Sequence, residues 1–253
     1  MCFYLVRPAG ALIVATIWAG CSPPGDAELA DGNRAAAAGK LDEAAVAYRA
    51  ACTKSQRAKP RELLGMVLHA AGKTDDARTA WLEAVQLEPD STQAQLGLAN
   101  IDSERGDQAA ALDRLDRLVQ RQPTFSQARV QRAVVFLRRN GEGDVERAVA
   151  DSELAVRAAP TDPEAQYVRG SALLAAKNVE GAKKAFEGLK RPRPMLAAWG
   201  LARVAAAQAR NIDVIVHLRE AREAADAGWV KARVREDPAF RYLWEDPEFQ
   251  REF

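Results

Sequence analysis

The chain has 253 residues, with 36 basic and 35 acidic side chains, a net charge of +1 and 48% hydrophobic residues, which is the profile of a folded protein of one or two domains rather than a disordered tail. A charge this close to neutral gives no long-range field to gather a polyanion, which argues against a nucleic-acid binder. Two histidines in the whole chain leave little for metal or acid–base chemistry, and abundant alanine with sparse isoleucine and valine favours helix over strand.

Residues 1–20 read as a secretory signal: Arg7, an apolar stretch from Ala9 to Trp18, then the small pair Ala19-Gly20 before Cys21. The apolar part is about ten residues, whereas a membrane-spanning helix needs about twenty. The segment Ile17-Trp18-Ala19-Gly20-Cys21 resembles the lipobox of bacterial lipoproteins. That resemblance implies lipidation of Cys21, which becomes the new N-terminus and anchors the chain to a membrane. Ser22 in the next place, where aspartate would mark retention, implies delivery to the outer membrane, facing the periplasm. The alternatives are an uncleaved N-terminal anchor, and ordinary signal cleavage with Cys21 an incidental thiol. Residues 21–26, with Ser22-Pro23-Pro24-Gly25, form a short tether. On the lipoprotein resemblance Cys2 would leave with the signal and Cys21 would be acylated, which leaves Cys52 without an intramolecular partner, and it is read as a small apolar residue on a helix.

A repeat fills the remainder. Ala44, Ala77, Ala111, Ala148 and Ala182 are separated by 33, 34, 37 and 34 residues. Twelve places after the last four stand Pro89, Pro123, Pro160 and Pro194. Twelve before stand Gly32, Gly65, Ala99 and Gly170, with Ala133 fitting once three extra residues near Asn140-Gly141-Glu142 are allowed. Gly39, Gly72, Gly106 and Gly143 precede the alanines by five, and Tyr48, Trp81, Leu115, Ser152 and Phe186 follow them by four. Each place has a physical use. The small residue lets two helices approach, the glycine supplies the positive φ that ends the first helix, the alanine marks the crossing, and the proline ends the second helix.

This pattern resembles the tetratricopeptide repeat (TPR). The resemblance implies an all-α fold: a right-handed superhelical solenoid of about six helix-turn-helix repeats with a concave inner face. The array covers 27–228, with units at about 25–58, 58–91, 92–125, 126–162, 163–194 and 195–228. One helix pair cannot bury its apolar stripe alone, so an array needs covered ends. Residues 229–253 supply the cover: Asp237-Pro238 and Asp246-Pro247 each pair an N-cap residue with a first-turn proline, and two short capping helices are expected from Pro238 and Pro247. This tail is similar to the closing segment found after many bacterial TPR arrays.

No constellation for catalysis is found. Gly72-Lys73-Thr74 has the ending of a phosphate-binding loop, but Val67 occupies the place of its first glycine. HExxH, cysteine-pair and GxSxG patterns are absent from the sequence. Arg138-Arg139 lies near a turn and reads as part of a solvated rim. No metal, cofactor or small-molecule substrate is expected.

In the TPR family the second, fifth, ninth and twelfth places of a unit usually face the groove. Carried onto this chain, the resemblance implies a partner-binding groove that includes Asn33, Met66, His69, Asn100, Val134, Tyr167, Leu174, Trp199 and Arg203. Tyr167 and Trp199 would act as anchors, with Asn33 and Asn100 bonding the partner's main chain. The clamp some relatives use for a free C-terminal carboxylate is not implied, because Leu29 and Leu96 stand where it needs a cation. The expected function is a non-enzymatic scaffold that binds another protein or peptide segment. Its layout is similar to that of the lipoproteins that help secretins and type IV pili assemble. The alternative is an inner-membrane-anchored regulatory or accessory subunit of an envelope enzyme.

Overall fold

The computed structural model describes residues 23–225 and 227–253; the signal segment and Cys21 lie outside the described residues. Among the described residues the chain is all helical. It divides into two compact units, one up to Ala94 and one from Gln95.

The first unit holds α1 (Asp26–Ala37), α2 (Leu41–Lys54), α3 (Ala58–Ala70) and α4 (Thr74–Leu87). α1 pairs with α2, α2 with α3, and α3 with α4, so consecutive antiparallel helices bury one another's apolar faces. Ala44 and Ala77 are buried where the paired helices cross. Beside each crossing a glycine meets a ring. A Cβ added to Gly32 would lie 2.4 Å from the Tyr48 ring, and one added to Gly65 would lie 2.4 Å from Nε1 of Trp81. Trp81 Nε1 donates to the Glu62 carbonyl at 3.2 Å, satisfying the buried indole. Ser91 in turn donates to the buried Glu62 carboxylate at 2.6 Å.

The boundary falls within α5 (Thr92–Glu104), and the second unit runs on through α6 (Gln108–Arg121), α7 (Ser126–Arg139), α8 (Asp144–Ala158), α9 (Pro163–Ala175), α10 (Val179–Glu187), α11 (Pro194–Ala207) and α12 (Asn211–Glu223). α13 (Ala227–Val234), a 3-10 helix (Pro238–Leu243) and α14 (Pro247–Glu252) complete it. Phe186 on α10 lies between two glycines, since a Cβ on Gly170 of α9 or on Gly200 of α11 would come within 2.6 or 2.3 Å of its ring.

Two details differ from the sequence reading. The glycine expected to end the first helix of the fourth repeat, Gly143, instead precedes α8; Asn140 takes the left-handed turn after α7, at φ 49°. The extra residues cause this by lengthening the turn, which Asp144 closes: its carboxylate accepts from Gly141 N at 2.8 Å and from Arg139 at 2.6 and 2.8 Å. In the fifth repeat the second helix ends early, at Glu187, and Pro194 opens α11 instead of closing α10. Gly188 and the proline pair Pro192 and Pro194 disfavour helix between them.

The tail forms its two short helices at the expected prolines, the first of them 3-10. Asp237 accepts from Ala239 N at 3.0 Å, and Asp246 accepts from Glu248 N at 2.9 Å. Phe240, Leu243, Phe249 and Phe253 bury themselves with Val214, Leu218 and Val230. Arg219 on α12 grips the Glu252 carboxylate through Nε at 2.8 Å, and the Arg222 guanidinium lies 5.6 Å from the centre of the Phe253 ring.

Gly65→Ala is expected to destabilise the chain by about 1–3 kcal/mol through overpacking, and Trp81→Leu by less than the ~3–5 kcal/mol of complete truncation. The double variant should fall short of their sum by about 0.5–3 kcal/mol, because alanine with leucine is the pairing that the third repeat uses at Ala99 and Leu115. Urea midpoints of the set check this.

Arg139 and the Gly141 amide hold the Asp144 carboxyl down at about 2. A depressed carboxylate stabilises the fold above its unfolded pKa and loses that contribution as pH falls through the folded one. Asp144→Asn should therefore lower the melting temperature at neutral pH, and the gap to the native chain should close between about pH 4 and pH 2.

Candidate functional site

The candidate site is a groove in the second unit. It is bounded by the first helices of successive repeats, α7, α9 and α11, and by the 3-10 helix of the cap, and it encloses about 710 Å³. Helical spacing places Val134 and Leu137 on one face of α7 and Tyr167, Ser171 and Leu174 on one face of α9. These line the groove with Arg203 of α11 and Tyr242 of the cap. A second hollow of about 780 Å³ adjoins it across Val134, Tyr167 and Val168, reaching Asp162, Glu164 and Arg193 at the helix starts. A mainly apolar concavity with a few polar groups is the usual build of a recognition surface.

Tyr167 forms the floor between the two hollows. Its ring lies 5.5 Å from that of Phe186, tilted by 52°. Burial pushes its phenol above the ordinary range, while the neighbouring Arg203 pulls it back down. Arg203 Nε lies 3.4 Å from Oδ2 of Asp237, so one arginine ties α11 to the cap and shapes the groove. Tyr242 is 50% exposed at the lip.

Of the residues proposed for the groove, Val134, Tyr167, Leu174 and Arg203 are brought together here. Trp199 is not in the lining. It is 6% exposed, with its ring edge-on to Phe240 at 5.4 Å and to Trp229 at 5.3 Å. The cap covers the face on which Trp199 lies, so this tryptophan packs the core instead of anchoring a ligand. Asn100 donates to Glu104 at 3.0 Å along its own helix. Asn33, Met66 and His69 belong to the first unit. Asn33 accepts from the Tyr48 hydroxyl at 2.8 Å, Met66 is exposed, and the His69 ring sits 5.7 Å from that of Trp81.

Leu137, Arg138 and Tyr242 line the groove without having been read from sequence. A signal for Leu137 was present, since it holds the twelfth place of the 126–162 unit, and Arg138 is the next residue of the same helix. Nothing in the repeat pattern pointed to Tyr242, which depends on the cap folding back. Cys21 lies outside the described residues.

Other chemistry is sparse. No cluster of three or more potential metal ligands occurs among the described residues, and no described helix is long and apolar enough to cross a membrane. Cys52 is half-buried and its thiol is pushed up by burial, away from the thiolate that reactivity requires.

The tetratricopeptide repeat family profile matches residues 25–94, 62–123, 96–163 and 141–195. The chain belongs to the tetratricopeptide repeat family. The repeats make it a protein–protein interaction scaffold, and no enzyme family is indicated. No curated protein matches the chain by sequence. Among solved structures it is similar to the thermophilic TPR protein TTC0263 of Thermus thermophilus, at 21% identity and TM-score 0.64 over 71% of this chain and 97% of that one. It is also similar to a TPR protein of Parabacteroides merdae, at 15% identity and TM-score 0.63 over 90% and 96% of the two chains. A third is pilF of Pseudomonas aeruginosa, at 18% identity and TM-score 0.60 over 90% and 97%. At these identities the likeness concerns the fold.

Packing and lining separate by mutation. Trp199→Ala should destabilise the chain by about 3–5 kcal/mol, whereas Tyr242→Ser at the half-exposed lip should stay within about 0.5 kcal/mol of the native chain. Chemical denaturation of both variants measures the contrast.

Proposed function

We propose that this is a non-enzymatic scaffold which holds a segment of another protein in the second unit's groove while an envelope complex assembles. The observation that carries the proposal is the groove itself: three successive first helices and the cap present Val134, Leu137, Leu174 and Tyr242 around the floor of Tyr167. Such a concavity fits aliphatic or aromatic side chains of an extended or helical segment.

In this proposal Cys21 carries the lipid. Its support is the lipobox-like run ending at Cys21, with Ser22 favouring the outer membrane and the tether leaving the repeats facing the periplasm. The layout, a lipidated cysteine followed by a TPR array, is that of the lipoproteins that assist secretins and type IV pili, and a role of that kind is the specific form we favour. Multiple acyl chains give stable attachment where a single chain, at about 0.8 kcal/mol per buried methylene, holds only marginally.

Cys21→Ala should abolish acyl labelling and release the protein from the outer-membrane fraction. An unprocessed chain that stays in the inner membrane after the substitution would replace this reading with that of an anchored accessory subunit. A photo-crosslinking residue at position 242 should trap a distinct protein in living cells that is not trapped from position 212, since Ile212 is 76% exposed and lies outside the groove. Equal capture from both positions would count against the groove.

A further inference from the structure

The arginines of α7 are treated unequally. Arg129 donates to Asp151 at 2.8 Å; Arg132 donates to Asp151 at 2.6 Å and to Asp116 at 2.8 Å; Arg139 holds Asp144 at 2.6 Å. Arg138 is the exception. Its Nη1 donates to the Ser103 hydroxyl at 2.9 Å, and among the described residues no carboxylate lies within ion-pairing reach. It is exposed, and it stands in the groove wall beside Leu137.

Across the groove, Arg203 already shares its charge with Asp237. The lining therefore holds two arginines and no carboxylate, whereas the adjoining hollow holds Asp162 and Glu164 with Arg193. This asymmetry selects among ligands. A wholly apolar segment laid over Leu137 and Leu174 would strip water from Arg138 and leave a covered cation without a counter-charge, which is unfavourable. A basic segment adds repulsion. A carboxylate removes the penalty and gains a charge-assisted hydrogen bond from a planar donor set with spare N–H groups.

We infer that the groove takes a segment of another protein in which an aspartate or glutamate side chain is flanked by apolar residues. Arg138 receives the carboxylate, and Leu137, Leu174 and Tyr242 receive the apolar neighbours. The inference rests on the groove reading proposed above and adds the chemistry of the partner.

The test selects peptides from a displayed random library on the full chain, then measures binding of the selected peptides by fluorescence anisotropy. We expect them to share an acidic residue beside apolar ones. Changing that residue to its amide, or making Arg138→Gln in the protein, should each weaken binding by roughly tenfold or more. The two changes together should weaken it little further, because each removes the same contact. Leu174→Glu should abolish binding, and Tyr242→Ser serves as the second groove variant if melting curves show that Leu174→Glu does not fold.

Peptides that need the groove variants' native residues but ignore Arg138→Gln and carry no acid would overturn this inference while leaving the groove reading in place. Peptides indifferent to the groove substitutions, or a library that yields no binder, would overturn both.

Discussion

A close approach between paired helices governs the whole arrangement, and it depends on matching a missing side chain to a large one. In the first, second and fifth repeats a glycine faces Tyr48, Trp81 or Phe186 at distances that a single added carbon would violate. In the third and fourth the small residue is Ala99 or Ala133, and the ring is replaced by Leu115 or Ser152. Volume added on one helix is removed from the other, which keeps the crossing near native packing density. The buried alanines Ala44, Ala77, Ala111, Ala148 and Ala182 mark the same crossings. Once this spacing is set, the first helices of successive repeats in the second unit can share a wall, and a groove follows.

Charge inside the second unit serves the same end by a different route. Asp151 is buried and receives both Arg129 and Arg132, and Arg132 continues to Asp116 on the preceding helix. A buried carboxylate with two guanidinium partners is a satisfied group, and losing both partners would leave a buried charge uncompensated. Asp144 does the equivalent work at the inserted turn. These pairs hold α7 between its neighbours, and α7 in turn offers Val134 and Leu137 to the groove.

Much of the fold was legible in the sequence because its determinants are local and periodic: a small residue, an alanine and a ring at fixed separations, and Asp-Pro at the starts of the cap helices. The exceptions arose where one residue type can serve two purposes. Pro194 fits a helix end by position, yet proline equally suits a first helical turn, and Gly188 had already ended α10. The site was legible only in part for a related reason. Val134, Tyr167, Leu174 and Arg203 follow from their places within a repeat, whereas Trp199 holds an equivalent place under a cap that no other repeat has. Arg138 was visible as a charge near a turn, but that it lacks a carboxylate depends on which arginine the buried aspartates take. That is a fact of three-dimensional packing which spacing along the chain does not contain.

Phe186 bears on how such a protein can change over evolutionary time. Arrays of this type grow and shrink by gaining or losing whole units, since each unit meets only its neighbours. The ring of Phe186 is wedged against Gly170 of its own unit and Gly200 of the next, so the fifth and sixth units share one side chain across their seam. Excising the sixth unit alone would bare that ring, and inserting a copy between them would demand a second glycine in the same place. Packing therefore binds the two units to each other and to the cap that follows, and a change in array length costs least among the units before them.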